Sequence, residues 1–296
     1  MLIRAAVLFL LTTAFTDVAA QGSSETSSAV FRGEMQRGSW LRIRSLRGAI
    51  EVREAAGNTA IVSARPRFTA RSLGRITFET RRDGENVTVC AIWESTRRCD
   101  ADGYDSRGGN DSDLGVVDFI VELPSGVKLM AATGNGAVHV RNAGEEVKAS
   151  SGNGDVSVLG ANGRVTASSG NGDIEITGAG GPVRASSGNG SIRVVTAKGP
   201  VSASTGNGRI DAEMASLDTE GDMAFSSGNG SIIVTFPSNL SAVVDAGVAA
   251  KSLTTDFPLT LPARWNSSRV RGTIGQGGRH IRFSTGNGRV TIRKGR

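Results

Sequence analysis

The triplet Gly-Asn-Gly constrains the fold of this chain more than any other feature of its 296 residues. It occurs seven times, and the first five copies follow one another at 18-residue intervals. The copies begin at Gly134, Gly152, Gly170, Gly188, Gly206, Gly228 and Gly286. A fixed period of this length is typical of solenoids, in which every repeat adds one unit to a stack.

Two short stretches of alternating apolar and polar residues surround each triplet. Val156 and Val158 follow one triplet, and Val165 and Ala167 precede the next. Alternation with period 2 gives a strand one apolar face, which two short strands cannot bury without stacked neighbours. The sequence therefore predicts an all-β fold, a single β-solenoid (β-helix) with 18-residue coils. An antiparallel meander of hairpins is disfavoured, because no two-residue turn signal recurs between the strands.

The handedness of the predicted solenoid follows from a general rule. Parallel crossover connections are nearly always right-handed, so a right-handed coil is favoured. A triangular left-handed helix also accommodates an 18-residue coil, and that alternative stays open.

The Gly-Asn-Gly triplet is predicted to form the corner between the two strands of a coil. Gly, and next to it Asn, tolerates the positive φ that a tight bend needs. Stacked corners would place the Asn side chains in a ladder in which each amide hydrogen-bonds its neighbour. The predicted ladder consists of Asn135, Asn153, Asn171, Asn189, Asn207, Asn229 and Asn287.

Outside the regular repeats the chain is predicted to form less regular coils. The 58-residue spacing before the last triplet leaves room for about three degenerate coils. Solenoids need atypical ends that stop strand addition, so the N-terminal region and the Arg-rich last strand are expected to cap the stack. We divide the chain into a signal peptide (1–20), a linker (21–30), irregular N-terminal coils (31–128), the regular solenoid (129–235), and degenerate C-terminal coils with a cap (236–296).

The segment 1–20 is typical of a secretory signal peptide. Arg4 precedes a short apolar run, and small residues precede a cleavage site near Ala20. The run is shorter than the roughly 20 apolar residues of a membrane-spanning helix, and we expect no transmembrane segment elsewhere. The mature protein is therefore expected to be secreted or periplasmic.

Cys90 and Cys99 are the only cysteines of the chain. In an oxidising compartment two cysteines nine positions apart most simply form a local disulfide. Without neighbouring histidines they cannot complete a structural zinc site, and they do not form a Cys-x-x-Cys redox pair. The sequence predicts a disulfide between them.

Charged side chains at outward strand positions give a candidate site on the regular coils. Asp155, Asp173 and Glu175 are predicted to cluster, with Arg193 and Arg209 on the following coils. Such carboxylates could bind a cation or act as a pair on a sugar. The competing interpretation is a solvated face in which Glu175 pairs with Arg193 and Arg209 lies near Asp211, and it is the preferred one.

Other sequence features do not predict a catalytic or metal site. His139 and His280, the only histidines, lie at outward positions of alternating strands and are expected to be surface residues. The Gly-rich strings open onto strands rather than helices, unlike phosphate-binding loops. An acidic loop matches calcium-binding patterns only in part and is expected to be a flexible polar loop; it contains Asp100, Asp102, Asp105, Asp111 and Asp113. We expect no cofactor and no bound metal.

The basic residues, mostly Arg, give the chain a formal charge of +6 and permit an anionic partner. Anionic glycans or other components of the cell envelope fit this chemistry, whereas nucleic acid is excluded by export and by the lack of interleaved aromatics. Self-association through the solenoid ends is a further expectation. The arginines concentrated in the N-terminal region are Arg37, Arg42, Arg44, Arg47, Arg53, Arg65, Arg67, Arg71, Arg75, Arg81 and Arg82.

Three segments resemble a known bacterial family. They are the stretch from Val117 to Val127, the repeats SGNGDVSV and SSGNGDIEI, and the ending from Gly277 to Val290. The chain resembles, over roughly residues 30 to 296, the exported family of provisionally named adhesins with GNG-type β-strand repeats, the domain of unknown function 4097. The resemblance implies a β-helical fold in or outside the cell envelope and brings no catalytic residues with it.

Two function classes follow from the sequence. The first is an exported, non-enzymatic protein of the cell envelope whose long faces form an adhesin-like surface for binding or scaffolding. The second is a β-helical lyase or hydrolase that acts on acidic polysaccharide through Asp155, Asp173 and Glu175, together with Arg193 or Arg209. The short 18-residue coils leave no room for the long loops that build an enzyme groove, so the first class is preferred.

Overall fold

The structure is a computed structural model that describes residues 28–67, 76–107, 115–196, 198–217, 220–248, 250–263 and 269–295. The predicted signal peptide and most of the predicted linker lie outside the described residues. Nowhere in the described segments is there a helix long and apolar enough to cross a membrane.

Nearly all regular structure in the described chain is β-strand. The strands before the first triplet are β1 (Ser28–Glu34), β2 (Trp40–Arg47), β3 (Ile50–Glu54), β4 (Thr59–Arg67), β5 (Ile76–Asp83), β6 (Asn86–Trp93), β7 (Thr96–Cys99), β8 (Tyr104–Ser106) and β9 (Val116–Leu123). The regular repeats contain β10 (Lys128–Asn135), β11 (Val138–Arg141), β12 (Val147–Asn153), β13 (Val156–Leu159), β14 (Val165–Asn171), β15 (Ile174–Thr177), β16 (Val183–Asn189), β17 (Ile192–Thr196), β18 (Val201–Asn207), β19 (Ile210–Met214), β20 (Met223–Asn229) and β21 (Ile232–Phe236). The C-terminal part contains β22 (Ala242–Gly247), a 3-10 turn (Ala250–Ser252), β23 (Leu253–Thr255), β24 (Val270–Ile274), β25 (Arg279–Asn287) and β26 (Val290–Lys294).

The strands form two long, mostly parallel sheets and one small hairpin, β7–β8. Sheet A has the order β1-β4-β9-β3-β11-β13-β15-β17-β19-β21-β26-β23. Sheet B has the order β24-β22-β25-β20-β18-β16-β14-β12-β10-β2-β6-β5. Each regular repeat contributes one strand to sheet B and, after its triplet, one strand to sheet A. This arrangement confirms the predicted all-β stack of parallel strands, and an antiparallel meander is excluded for the regular repeats.

The apolar faces of the two sheets enclose one core. Inward residues of β12 and β13, such as Val147, Val156 and Val158, are fully buried, and every regular coil repeats this pattern. The small Ala149 and its counterparts on neighbouring coils occupy the second inward position of sheet B. Period-2 alternation thus places the apolar rows where the sequence predicts them.

The Asn ladder is confirmed. Each Asn side chain donates an amide hydrogen to Oδ1 of the Asn on the preceding coil in the stack, at 2.7 to 2.8 Å, from Asn153–Asn135 through Asn287–Asn229. Beside it a second ladder is buried, in which the hydroxyl of Ser151 donates to the carbonyl of Gly136 at 2.8 Å. The equivalent hydroxyls of the other coils repeat this bond. The two ladders satisfy the polar groups of the corner.

The reason for glycine at the corner differs from the predicted one. No ladder Asn has positive φ, so that part of the explanation is wrong. Of the two glycines, the second has positive φ at several coils, for instance +145° at Gly154. The first glycine is required by distance, because a Cβ at Gly152 would lie 2.5 Å from the carbonyl oxygen of Gly134.

The C-terminal part does not stack in sequence order. Asn287 pairs directly with Asn229, so β25 and β26 stack on β20 and β21. The chain between them supplies the outer strands β22 and β23, with β24 antiparallel at the edge of sheet B. The expectation of three degenerate coils between these triplets is therefore wrong. The Arg-rich last strand, β26, lies inside sheet A and does not cap it.

The N-terminal end is built in the same way. β2 and β3 stack directly on β10 and β11, although they are far away in sequence. Strands β6 and β9, which follow later in the chain, pair with the outer side of β2 and β3. Antiparallel strands then end both sheets, β5 in sheet B and β1 with β4 in sheet A.

The predicted disulfide is confirmed between Cys90 on β6 and Cys99 on β7. The disulfide positions the loop that follows Cys99, and backbone carbonyl groups of this loop accept hydrogen bonds from Arg44 on β2. Nε of Arg44 donates to the carbonyl of Asp100, and its Nη2 donates to that of Ala101, both at 2.8 Å. Burial lowers the pKa of Arg44, since desolvation disfavours its charge. The disulfide and Arg44 together fasten this loop to the end of sheet B.

Candidate functional site

Two residues of the predicted charged cluster, Glu175 and Arg193, lie in one row across the outer face of sheet A. Parallel pairing places Ser157, Glu175, Arg193 and Asp211 side by side. Nε of Arg193 lies 3.9 Å from Oε1 of Glu175, and Nη2 of Arg209 lies 2.9 Å from Oδ2 of Asp211. All of these side chains are at least one-third exposed where they pair. These are the pairs of the solvated-face interpretation.

Asp155 and Asp173 lie at the corner before each strand rather than within the row. Oδ1 of Asp155 accepts the backbone N–H of Asp173 at 2.8 Å, and Oδ1 of Asp173 accepts that of Ser191 at 2.7 Å. Each carboxylate therefore links two successive coils. Such a bond uses one oxygen of the carboxylate for structure and leaves the other toward solvent.

Neither the row nor the corner carboxylates gather into a metal centre. Within the described segments no group of three or more His, Cys, Asp or Glu side chains is placed to hold a metal ion. In the acidic loop, Oδ1 of Asp100 accepts the backbone N–H groups of Asp102 and Gly103, and its Oδ2 accepts Arg98 at 2.6 Å. These bonds lower the pKa of Asp100 to about 2. Asp111 and Asp113 of the same predicted loop lie outside the described residues.

A groove that the sequence did not predict crosses the outer face of sheet A near its N-terminal end. It has a volume of about 700 Å³, and residues of the four neighbouring strands β4, β9, β3 and β11 line it. Its charged and polar lining consists of Glu51, Arg53, Ser63, Arg65, Glu122, His139 and Arg141.

The electrostatics of this groove are mixed but leave two guanidinium groups available. Arg53 forms an ion pair with Glu122, at 2.5 Å. Among the described residues, no carboxylate lies within ion-pair distance of Arg65 or Arg141, and both side chains are exposed. A planar guanidinium with free N–H groups is suited to carboxylate, sulfate or phosphate. The groove can thus receive an anionic group.

Sequence reasoning missed the groove because non-consecutive strands assemble it. Antiparallel β4 places Ser63 opposite Ile120 of β9, and parallel pairing continues the row through Glu51 to His139. Arg53 and Arg65 belonged to the predicted basic N-terminal region, but nothing in their spacing indicates that Arg141 lies beside them. His139 is a surface residue, as expected.

The N-terminal arginines do not form one patch. Arg44 is buried, Arg67 pairs with Asp118 at 3.0 Å, and Arg81 pairs with Glu79 at 2.8 Å. Arg71 and Arg75 lie outside the described residues. Of the remaining arginines, Arg42 lies on sheet B, whereas Arg53 and Arg65 lie on sheet A.

Comparisons with known proteins point to one family. A family model described as Toastrack DUF4097 matches residues 114–293, which is more than half of the chain. No curated protein matches the chain.

Among solved structures, two that are provisionally described as adhesion proteins match the chain over most of its length. One is a cell adhesion protein from Clostridium sporogenes, with 8% sequence identity and a TM-score of 0.30, covering 91% of this chain and all of that one. The other is an adhesin from Bacteroides fragilis, with 9% identity and a TM-score of 0.41, covering 92% of this chain and 98% of that one.

Proposed function

Because the chain belongs to the Toastrack DUF4097 family, we propose that it is an exported, non-enzymatic β-solenoid of the cell envelope with an adhesin-like surface. The observation that carries this proposal is the in-register stacking of the coils, which repeats the same outward position on every strand. Neighbouring strands lie about 4.8 Å apart, so the outer faces offer closely spaced, repeated contacts. Such faces favour multivalent binding of an extended partner over enclosure of a small substrate.

The location of the protein is part of the proposal. A disulfide between Cys90 and Cys99 is typical of an oxidising compartment, and the N-terminal signal pattern predicts export. Both support a secreted or periplasmic protein. We also propose that the 18-residue coils are right-handed, because crossover connections between parallel strands are nearly always right-handed.

The proposed ligands are anionic glycans or other envelope components, with the sheet A groove as one contact. Arg65 and Arg141 would contact acidic groups there, and Ser63 offers a hydroxyl for hydrogen bonding. The test is a glycan array probed with the purified protein. We expect the protein to bind acidic glycans on the array. The double substitution Arg65→Glu and Arg141→Glu should weaken this binding, because it replaces electrostatic attraction between the groove and the glycan with repulsion. If the protein binds no glycan on the array, adhesin-like binding is contradicted and a structural role in the envelope remains.

The enzyme alternative is tested on the same glycans. Asp173→Asn keeps an oxygen that accepts the N–H of Ser191 but removes the charge that an acid–base role needs. We expect no shortening of bound acidic polysaccharide by the unsubstituted protein, measured by size-exclusion chromatography. Shortening that disappears in Asp173→Asn would overturn the non-enzymatic proposal.

A further inference from the structure

The outer face of sheet B differs in charge from that of sheet A. One outward row crosses eight successive strands, from β2 to β25, and contains four cations and no carboxylate. In stacking order the row is Arg42, Met130, Lys148, Thr166, Arg184, Ser202, Ala224 and Arg282. The matching row of sheet A alternates in sign at Glu175, Arg193 and Asp211. Sheet B therefore carries a row that contains cations but no carboxylate, and we call it the basic row.

Three cations converge at the N-terminal end of this row around one indole ring. Cζ of Arg42 lies 5.9 Å, Nζ of Lys128 5.8 Å and Nζ of Lys148 4.6 Å from the ring centroid of Trp40. The ring quadrupole attracts cations and partly offsets their mutual repulsion. The carboxylate of Glu146 lies 3.7 Å from Nζ of Lys148 and neutralises one of the three charges. We call Trp40, Arg42, Lys128 and Lys148 the Trp40 cluster.

Hydrogen-bonding capacity is unused at the Trp40 cluster. Nη1 of Arg42 is buried and has no hydrogen-bond partner in the described structure. A buried N–H group without a partner destabilises the folded protein, because the group has lost its hydrogen bond to water and has gained none in return. The Arg42 side chain as a whole is only partly buried, so a reorientation of its guanidinium would let this group donate a charge-assisted bond to an anionic oxygen.

Along the stack the cations recur at a regular interval. Arg42, Lys148 and Arg184 lie on every second strand of sheet B, so adjacent cations are about 10 Å apart at the strand spacing of ~4.8 Å. Among the described residues no carboxylate lies within ion-pair distance of Arg184. Arg282 continues the row three strands further, beside Asp245, whose carboxylate already binds Arg269 and Arg271.

A flat polar terrace lies next to the basic row. Two positions further along the strands from β10 to β25, the outward residues are small, and beyond them lie the stacked first glycines of the triplets. On β2 this position is Arg44, which the disulfide loop covers, so the terrace begins at β10. The terrace consists of Ala132, Ser150, Ser168, Ser186, Ser204, Ser226 and Ser284. Each serine hydroxyl can donate one hydrogen bond and accept two, as sugar hydroxyls do. No bulky side chain on the terrace would hold an extended polymer away from the basic row.

We propose that the outer face of sheet B binds an extended anionic polysaccharide lengthwise, with acidic groups on the basic row and sugar hydroxyls on the terrace. This inference rests on the proposed function and names the ligand class and the surface. The cation interval fits a chain that carries one acidic group on every second sugar. It is far longer than the roughly 3.4 Å of helix axis per phosphate on each strand of duplex DNA, which makes nucleic acid the poorer fit.

The experiment measures the Kd of the purified protein for hyaluronan, which carries one carboxylate per disaccharide, with neutral dextran and single-stranded DNA as comparison probes. Lys148→Gln with Arg184→Gln removes two charges from the basic row. The matched control, Arg289→Gln with Arg293→Gln, removes two exposed charges near the other end of the chain, at the corner and on sheet A. We expect hyaluronan to bind and dextran not to bind.

The row variant should raise the Kd for hyaluronan about tenfold, which corresponds to ~1.4 kcal/mol, and should weaken its dependence on salt. The control should change the Kd by less than about twofold, because screened charges at the corner and on sheet A, away from the basic row, contribute little. Equal losses in both variants, or a loss in neither, would overturn the proposed surface. Tighter binding of DNA than of hyaluronan would overturn the ligand class.

The two proposals fail in different ways. If the unsubstituted protein binds neither hyaluronan nor any glycan of the array, adhesin-like binding fails together with the sheet B surface. If the protein binds acidic glycans and only Arg65→Glu with Arg141→Glu weakens binding, the adhesin-like function stands and the sheet B surface is wrong.

Discussion

Single glycines decide how closely the coils of this protein approach one another. A Cβ at Gly170 would lie 2.4 Å from the carbonyl oxygen of Gly152, on the neighbouring coil. The backbone would have to separate locally, which stretches the hydrogen bonds of the two strands that flank the corner. The same contact recurs at the first glycine of each triplet, so this requirement, rather than φ alone, explains the repeat.

We therefore expect Gly170→Ala to lower the free energy of unfolding by about 1–3 kcal/mol, the usual cost of overpacking. Denaturant titration followed by circular dichroism measures it. Gly57→Ala is the matched control, because a Cβ there meets nothing within 4 Å and the backbone is not in the left-handed region. An equal loss of stability in both variants would show that coil-to-coil distance is not the cause.

The outer strands of the C-terminal end are joined by charge as well as by backbone pairing. β22 carries Asp245, and its carboxylate binds Nη2 of Arg269 at 2.5 Å and of Arg271, on β24, at 3.1 Å. Hydrogen bonds from these arginines lower the pKa of Asp245 from 3.8 to about 2. A lowered pKa means that the folded protein binds the proton less readily than the unfolded chain does.

The contribution of Asp245 to stability is thus complete above pH ~4 and is lost as the pH falls toward 2. We expect the Tm of Asp245→Asn to lie below that of the unsubstituted protein at pH 6. The difference should shrink as the pH falls toward and below 2, because the carboxyl group of Asp245 is then increasingly protonated and, like the amide of Asn, uncharged. Thermal melts across this range measure the difference. A constant difference at all pH values would contradict a role for the charge.

The whole molecule is closed at both ends by chain segments that return past their neighbours. β25 and β26 stack between the regular coils and the outer strands β22 and β23, which precede them in the chain. Phe283 on β25 consequently lies inside the core, with its ring centroid 5.4 Å from that of Phe225 on β20. Were β25 an edge strand, one side of Phe283 would face solvent instead.

We expect Phe283→Ala to lower the free energy of unfolding by about 3–5 kcal/mol, the range for a large-to-small change in a closed core. Leu261→Ala, at a side chain that is 38% exposed, should change it by less than about 0.5 kcal/mol. Denaturant titrations of both variants give the comparison. A loss below about 1 kcal/mol in Phe283→Ala would contradict the interior placement of the last coil.

Some of the candidate sites could be predicted from the repeat, and others depend on strands that are distant in sequence. The row through Glu175 and Arg193 was predicted, because residues of equivalent repeats meet by strand register alone. The groove at Arg65 and Arg141 and the cluster at Trp40 were not predicted. The groove depends on β3, β4 and β9 and the Trp40 cluster on β2, and no local periodicity encodes the pairing of these strands. The basic row of sheet B could have been found from the repeat, by aligning Lys148, Thr166 and Arg184 at one position of successive coils.

The repeat by itself determined the strands, their inward faces, the Asn ladder and the parallel stacking of the central coils. It could do so because each of these features depends on contacts between a residue and its equivalent in the next repeat. Only the tertiary structure decided the order of the terminal coils, since segments such as 40–54 and 279–294 lie beside strands distant in sequence. Burial of their apolar faces against the open ends of the stack stabilises those distant pairings, and the spacing of residues along the chain does not specify them.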